Sequence, residues 1–340
     1  MVAGSNDPVH ADTYIGVIGI DWGSTGLRVF LMGAGGEVLA TRTASHGISA
    51  ITASPRAYAA ALRKLAGDWL DMWPNAPVLA CGMVGSQHGW QEVPYITCPA
   101  SAEQIARGAA RVVNSDSSHN QSLWIMPGLL HSPEAAAPDV MRGEETQIIG
   151  ALQSRTGWSE RACIVMPGTH SKWAHISNAQ VLGFATHMTG ELFALLRQHS
   201  VLGRLMPSND NHIPDNAAFI SGIDVAKNLG YEGLSHQLFA VRSLGLVGKM
   251  PATGLADYLS GLLIGHELNA GLHWRTKAGL NDAALILVGE LSLCQRYQQA
   301  LERFDVKADV VLPNTAPAGL WHLASVAGLL ATPTSQQDSI

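Results

Sequence analysis

One order of elements occurs twice in this chain, and that repeat limits the folds open to it. The first copy starts near residue 15. Tyr14–Ile20 is a run of apolar residues and glycine with recurring β-branched side chains, the pattern of a buried central strand. Asp21 follows at once, then the small-residue turn Gly23-Ser24-Thr25-Gly26. Leu27–Met32 has strand chemistry, Gly33–Gly36 is a second turn, Glu37–Thr43 a third strand, and Pro55–Trp73 carries apolar residues at helical spacing. The second copy starts near residue 162. It reads as strand Ala162–Met166, turn Pro167-Gly168-Thr169-His170, strand Ser171–Ile176, turn Ser177–Gln180, strand Val181–Met188 and helix Glu191–His199. Two copies of one unit predict two related α/β domains facing each other, each with a hydroxyl-bearing turn after its first strand.

The position of these turns separates them from the common phosphate loops. A P-loop or a Rossmann loop has fixed glycine spacing and opens a helix. Here the spacing differs, and a strand follows. Backbone N–H groups and hydroxyls at a hairpin tip can still cradle phosphate oxygens. Asp21 can hold a hydrated Mg²⁺, which prefers one or two carboxylates plus substrate phosphates. A plain glycine-rich hairpin with an exposed acid is the alternative for either turn alone, and the repeat weighs against it. His170 and Lys172 add donors beside the second turn; for Lys172 the alternative is an exposed strand residue.

Composition bounds the partners. The chain has 340 residues, enough for two domains. Its net charge of −6 argues against a broad basic surface for nucleic acid. The four cysteines, Cys81, Cys98, Cys163 and Cys294, are far apart with no C-x-x-C pair, so buried thiols are expected rather than zinc or disulfides. Residues 1–13 lack the basic start and apolar run of a signal peptide and are expected to form a disordered tail. The longest bilayer candidate, Tyr258–Leu268, is too short and contains His266 and Glu267. No membrane partner is expected, and a cytoplasmic location is.

Between the repeats, strand Pro77–Cys81 runs into Gly82-Met83-Val84-Gly85-Ser86-Gln87-His88-Gly89-Trp90. Ligands of open α/β sheets bind beyond the carboxyl ends of strands. Ser86, Gln87 and His88 are therefore candidates for polyol hydroxyls and Trp90 for a stacking wall, against an ordinary loop with one packed Trp. Pro94–Thr97 is expected as a strand, Ala102–Val113 as a helix, 114–121 as a polar loop and Leu123–Gly128 as a strand. Ser132–Pro138, rich in Pro and Ala, is the expected boundary between domains 14–138 and 139–330, with a second tail over 331–340. Glu144 and Glu145 then open a helix. The helix dipole alone favours acids there; the functional reading is a general base. Helices are expected over Asn216–Leu229, Leu255–Leu272 (apolar on most sides, hence at the domain interface), Glu290–Phe304 and Thr315–Leu330. Strands are expected over Ala283–Val288 and Val306–Leu312. Gly289 lets the backbone approach a flat ligand such as adenine.

The segments IDWGSTGLR, GMVGSQHGW, MRGEETQIIGA, VMPGTHSKW, MTGEL, YLSGLLIG and RYQQAL span residues 15 to about 327. Together they resemble the 2-dehydro-3-deoxygalactonokinase family of the actin/hexokinase/Hsp70-like ATPase superfamily. The resemblance implies two ribonuclease-H-like domains with a cleft between them, ATP and Mg²⁺ as cofactors, and phosphorylation of the 6-hydroxyl of 2-dehydro-3-deoxy-D-galactonate. It implies that Asp21, Gly23, Ser24 and Thr25 form the first phosphate motif and Gly168 and Thr169 the second, with Gly289 at the adenosine. Gly143-Glu144-Glu145 lies where related sugar kinases carry Gly-Asp with the catalytic acid. Two acids leave the base open between them, with Glu144 favoured. Gly82, Met83, Ser86 and Trp90 fall on the sugar side. Arg142 is the candidate for the substrate carboxylate, with Arg28 and Lys172 as rivals and an ion pair with Glu144 or Glu145 as the other reading of Arg142. A phosphatase or ATPase of the same fold and a non-catalytic sugar sensor are the competing functions. The loop 82–90 argues against the first and the short N-terminal tail against the second. Oligomeric state stays open, a homodimer being one candidate, as does selectivity between galactonate and gluconate epimers.

Overall fold

The computed structural model describes residues 9–10, 13–51, 54–113, 122–207 and 214–330. The expected tail 331–340, most of the tail 1–13 and the polar loop 114–121 lie outside the described residues. The chain divides into two compact units. The first comprises residues up to Ser159, Ala179–Leu182 and the chain from Asn314; the second comprises Glu160–Asn178 and Gly183–Pro313.

In the first unit, β1 (Val17–Trp22), β2 (Leu27–Met32) and β3 (Val38–Ala44) form an antiparallel meander. Helix α1 (Pro55–Met72) is capped by Ser54, whose side chain accepts from the Ala57 N–H, and leads to β4 (Val78–Gly82), parallel to β1. Short strands β5 (Ile96–Thr97) and β6 (Ala100–Ser101) precede α2 (Ala102–Arg107), then β7 (Ala110–Val113), β8 (Ser122–Ile125), β9 (Leu129–His131), β10 (Asp139–Met141) and α3 (Glu144–Leu152). The main sheet runs β3-β2-β1-β4-β8-β7. Alternate residues of β1, Ile18, Ile20 and Trp22, join Tyr58, Leu62 and Trp69 of α1 in one core.

Two expectations are corrected here. Ala102–Val113 is not one helix. It stops at Gly108, and Arg111-Val112-Val113 alternates exposed and half-buried as the edge strand β7, because one face of that strand covers the core. Ser132–Pro138 does not separate domains. It is the loop of a hairpin in which Asp139 pairs with His131, and the chain runs on through β10 and α3 before leaving the first unit.

In the second unit, which follows the short helix α4 (Gly157–Glu160), β11 (Arg161–Met166), β12 (Ser171–Ser177) and β13 (Gln180–His187, of which the first three residues are counted with the first unit) repeat the meander. Helices α5 (Thr189–His199), α6 (Asn216–Leu229), α7 (Leu234–Leu246) and α8 (Leu255–Lys277) follow, then β14 (Ala284–Val288), α9 (Leu291–Arg303) and β15 (Val310–Leu312). The sheet order β13-β12-β11-β14-β15 matches β3-β2-β1-β4-β8 strand for strand, with β14 and β15 parallel to β11 as β4 and β8 are to β1. Two copies of this ribonuclease-H-like sheet define the actin-like ATPase fold. The apolar helix α8 is buried within its own unit. It lies against α6 at Gly222 and Gly261, where an added Cβ would come within 2.2 Å of opposing backbone.

The last helix, α10 (Ala316–Val326), belongs to the first unit. It crosses α3 at two glycines. A Cβ on Gly319 would lie 1.9 Å from the Thr146 carbonyl oxygen, and one on Gly150 would lie 2.0 Å from that of Thr315. Cys81, Cys163 and Cys294 are buried free thiols and Cys98 is half-buried. Among the described residues no helix is long and apolar enough to cross a membrane.

Candidate active site

The first unit carries an acidic half-site at the carboxyl ends of β1 and β4. The turn 23–26 is closed by the Gly23 N–H on the Gly26 carbonyl, 2.9 Å, and leaves Ser24 and Thr25 exposed. The segment behind it donates twice, Ile48 N to Gly23 O at 3.0 Å and Ser49 N to Ser24 O at 3.1 Å. Gly47 is required for this approach, since a Cβ there would stand 2.2 Å from the Ser24 carbonyl carbon. Asp21 faces Arg28 across the hairpin, Oδ2 to Nη1 3.2 Å. Burial pushes the Asp21 carboxyl above its usual range, Arg28 and a hydrogen bond from Asn314 draw it back, and the charge of Glu144 adds to the rise.

Two positive-φ glycines bring α3 onto this edge. Gly82 (φ +92°) ends β4 against the Trp22 carbonyl, and Gly143 (φ +111°) begins α3 with its Cβ direction 3.1 Å from the Gly82 Cα. The two acids that follow are not equivalent. Glu145 is wholly buried and accepts from the Gly143 N–H (2.6 Å) and the Thr146 hydroxyl (3.1 Å). Its carboxyl is pushed up to about 8, first by burial and then by Glu144. Glu144 is half-buried and accepts from the Arg142 backbone N–H at 3.0 Å.

Arg142 lies behind them, 8% exposed. Its Nη2 donates to the Val93 carbonyl (2.7 Å), and the guanidinium sits 4.3 Å over the Tyr95 ring. Nε and Nη1 are buried with no hydrogen-bond partner among the described residues, and Nη1 abuts Gly85 of the loop 82–90. In that loop Ser86 Oγ is likewise buried and unpartnered, while Gln87 and His88 are exposed and Met83 is half-buried on the core. Trp90 is no ligand wall. It is 6% exposed, stacked on Tyr58 at 6.2 Å and edge-on to Trp22 at 6.3 Å, so its faces are spent on the aromatic core. The Tyr58 hydroxyl pins the loop by donating to the His88 carbonyl, 2.6 Å.

The second unit carries a cavity of about 550 Å³ beside the turn 167–170. That volume suits a small-molecule ligand. Pro167, Gly168 and Thr169 form one wall, Thr189, Gly190 and Phe193 of α5 another, and Glu290, Leu293 and Arg296 of α9 a third. Gly168 has nothing within 4 Å of a built Cβ. Gly190 seats α5 on the turn, its Cβ direction 2.5 Å from the Gly168 carbonyl oxygen, and the Glu191 N–H donates to the Thr169 carbonyl at 3.0 Å. His170 pairs with Glu191. Lys172 is not an exposed strand residue. It is 3% exposed, with Nζ donating to the His170 carbonyl at 3.1 Å, because the strand turns it inward beneath the turn. Gly289 (φ +152°) ends β14 beside the turn, a Cβ there lying 3.4 Å from the Pro167 carbonyl. The cavity wall itself is formed by its neighbour Glu290, which caps α9 by accepting from the Ser292 and Leu293 N–H groups.

Sequence reasoning missed Asp257 and Arg296 on the cavity wall. Asp257, 2% exposed, accepts from Arg296 Nη1 (2.8 Å) and from the Asp215 N–H (2.7 Å), and the Arg296 guanidinium lies 4.0 Å over Phe219. The available signal was an aspartate inside the otherwise apolar start of α8, which demands a buried partner.

The chain as a whole is similar to known proteins. The pattern of the 2-keto-3-deoxy-galactonokinase family matches residues 21–323. The 2-dehydro-3-deoxygalactonokinase of Escherichia coli (strain K12) is 35% identical over 308 residues, 90% of this chain and 97% of that protein. A relative from Rhizobium meliloti (strain 1021) assigned the same activity is 34% identical over 284 residues, 83% of this chain and 88% of its own length. A crystal structure of a Sinorhizobium meliloti protein with the same assignment superposes with a TM-score of 0.77 at 32% identity, covering 91% of this chain and 98% of that one. On this coverage and identity, the chain belongs to the 2-keto-3-deoxy-galactonokinase family.

Proposed function

We propose that this chain is a cytoplasmic kinase that transfers the γ-phosphoryl group of ATP to the 6-hydroxyl of 2-dehydro-3-deoxy-D-galactonate. Family membership supports the kinase over the phosphatase and sugar-sensor readings, since the relatives are named as kinases. The observation that carries the assignment of roles is the asymmetry between adjacent acids. Glu144 keeps access to solvent and Glu145 has none. A base must reach the proton it takes, so Glu144 accepts the proton of the sugar hydroxyl. Glu145 braces the helix start from beneath, through the Gly143 N–H.

Phosphoryl transfer depends mainly on positioning and charge neutralisation. Ser24 and Thr25 on one turn, which the Gly23 N–H closes onto Gly26, and Gly168 and Thr169 on the other supply N–H and hydroxyl donors for phosphate oxygens. The 550 Å³ cavity takes the adenosine. Phosphates of a nucleotide call for a hydrated Mg²⁺, and the residues present fit it: Asp21 is a single carboxylate beside the turn hydroxyls, with Glu144 close enough to raise its pKa, which suits an ion held partly by phosphates. Such an ion, when bound, neutralises charge on the phosphates. Arg142 takes the substrate carboxylate. Its unpartnered Nε and Nη1 beside Gly85 support that role over Arg28, which pairs with Asp21, and over Lys172, which is turned onto the His170 carbonyl. Ser86, with its buried unpartnered hydroxyl, and Gly82 and Met83 complete the sugar side.

The test is ADP release with Mg-ATP and a panel of sugars and sugar acids. ADP should appear with 2-dehydro-3-deoxygalactonate, and comparison with the gluconate epimer sets the stereoselectivity. Equal release with no acceptor, or none with any acceptor while ATP still binds, would overturn the proposal. Within the panel, Arg142→Ala should raise KM for the acid by about 10- to 100-fold, the worth of a charge-assisted hydrogen bond, and leave KM for ATP unchanged.

A further inference from the structure

Glu267 lies on α8, 3% exposed, and outside the cavity wall. Its carboxylate collects four donors. Oε1 accepts from Ser171 Oγ at 2.6 Å and Trp173 Nε1 at 2.9 Å; Oε2 accepts from Tyr297 at 2.5 Å and from the Thr189 hydroxyl. An ionised carboxylate is acceptor-only, with about four lone-pair sites on its two oxygens. Those sites are filled, and by groups from three different elements. Ser171 and Trp173 open β12 immediately after the turn 167–170, Thr189 begins α5, and Tyr297 is in α9. The turn before β12, α5 and α9 each supply walls of the 550 Å³ cavity, as does the start of α8 itself, and Thr189 and Tyr297 line it directly. Burial and the neighbouring carboxylate hold the Tyr297 phenol well above its usual range, so it remains a donor.

We infer that Glu267 is a positioning residue for the nucleotide: one buried carboxylate sets the spacing of the phosphate turn, the start of α5 and the face of α9 around the bound ATP. This rests on the reading of that cavity as the nucleotide site. A glutamine has the same shape but replaces one acceptor oxygen with an NH₂ donor. Because the Trp173 indole N–H can only donate, the amide oxygen must face Ser171 and Trp173, and its NH₂ forces the Thr189 and Tyr297 hydroxyls on the cavity wall to turn from donating to accepting.

The experiment measures the dissociation constant of ADP by calorimetry, KM for ATP, KM for the sugar acid and the unfolding midpoint, for the wild type and Glu267→Gln. The expected result is an ADP dissociation constant and a KM for ATP raised about tenfold or more, with KM for the sugar acid unchanged. A purely structural role would lower the unfolding midpoint without that split. If Glu267→Gln fails to fold, Ser171→Ala and Trp173→Phe each delete one donor outside the cavity wall and should show the same split, smaller in size. A folded variant set with unchanged ADP affinity overturns the inference and leaves the cavity reading intact. Leu293→Trp, which fills the cavity from α9, separates the two. If it binds ADP as the wild type does, the cavity is not the nucleotide site and the inference falls with it.

Discussion

The turn after β1 and the turn after β11 occupy the same place in the same strand order, and they are supported from beneath by different means. The first rests on backbone. The segment 47–49 donates to the Gly23 and Ser24 carbonyls, and Gly47 fits with no room for a Cβ. Its flanking charges are the largely buried Asp21 and the exposed Arg28. The second has a backbone seat too, from Gly190 and the Glu191 N–H of α5, and adds buried side chains to it. Lys172 is folded under it, Glu267 grips the strand that leaves it, and Gly168 at its tip opens onto a cavity. A duplicated unit has thus kept its topology while its two loops specialised, one toward an acid-bearing edge and the other toward a concave pocket. Strand order is set by the sheet, whereas the chemistry of a loop is set by the few residues beneath it.

Five substitutions would break or sharpen this contrast. The largest effect is expected at the acidic edge. Glu144→Gln should lower kcat by about 10²–10⁴-fold, the usual worth of a general base, with ADP affinity held by the other unit and unchanged; steady-state kinetics beside calorimetry reads both. Next is Glu145. The folded protein keeps its proton to about pH 8, while the unfolded chain releases it near 4.5. Between those values the folded state binds more protons, so stability falls as pH rises, by up to about 1.4 kcal/mol per pH unit from this one group. Glu145→Gln should remove that slope, as followed by urea midpoints from pH 5 to pH 8. A slope retained in the variant would assign the burial cost elsewhere. Gly47→Ala should destabilise by roughly 1–3 kcal/mol through overpacking. Gly168→Ala, with open space at its Cβ, should stay within about 0.5 kcal/mol and be felt in KM for ATP instead. Equal thermal shifts for the two alanines would erase the distinction between the turns. The smallest effect is expected for Arg28→Ala. Its ion pair with Asp21 has one exposed partner, 54% for the arginine side chain, and such pairs contribute about 0–1 kcal/mol. The Asp21 carboxyl should titrate higher in that variant, by NMR.

Much of this was readable from the chain because the central strands are buried on both faces and therefore read as continuous apolar runs. Both meanders, α1, α6, β14 and α9 lie close to their expected ranges for that reason. Elements with one wet face were harder. β7 follows α2 with only a glycine and an alanine between, and its period-2 signal is four residues long. α7 was not expected at all: it exposes Phe239 and Leu246 and buries only Gln237 and Val241, so it has little amphipathic contrast to detect. At the site, spacing singled out the turns and the acid pair but could not say which acid is buried, since neighbours on a helix point about 100° apart and only the fold fixes which way is in. Trp90 shows the reverse error. An aromatic beside glycines suggests a ligand wall, yet Tyr58 and Trp22, distant in sequence, had already claimed its faces. Glu267 was noticed only as an interruption in an apolar helix, and its four donors come from elements up to 96 positions away.

The return of the chain into its first unit has a bearing on how the protein is made. Glu144 and Glu145 ride on α3, and α3 is seated by α10 through Gly150 and Gly319 and through the Thr315 hydroxyl, which donates to the Gln147 carbonyl across 168 positions of sequence. During synthesis the acid pair therefore emerges long before its support. The second unit has its whole sheet and α9 translated by Pro313, so it can close while the first still shows the bare underside of β1 and α3. Domains fold as units while the ribosome advances, and here the order is inverted: the half translated first is finished later than the second, and the acid pair on α3 is set in place by α10.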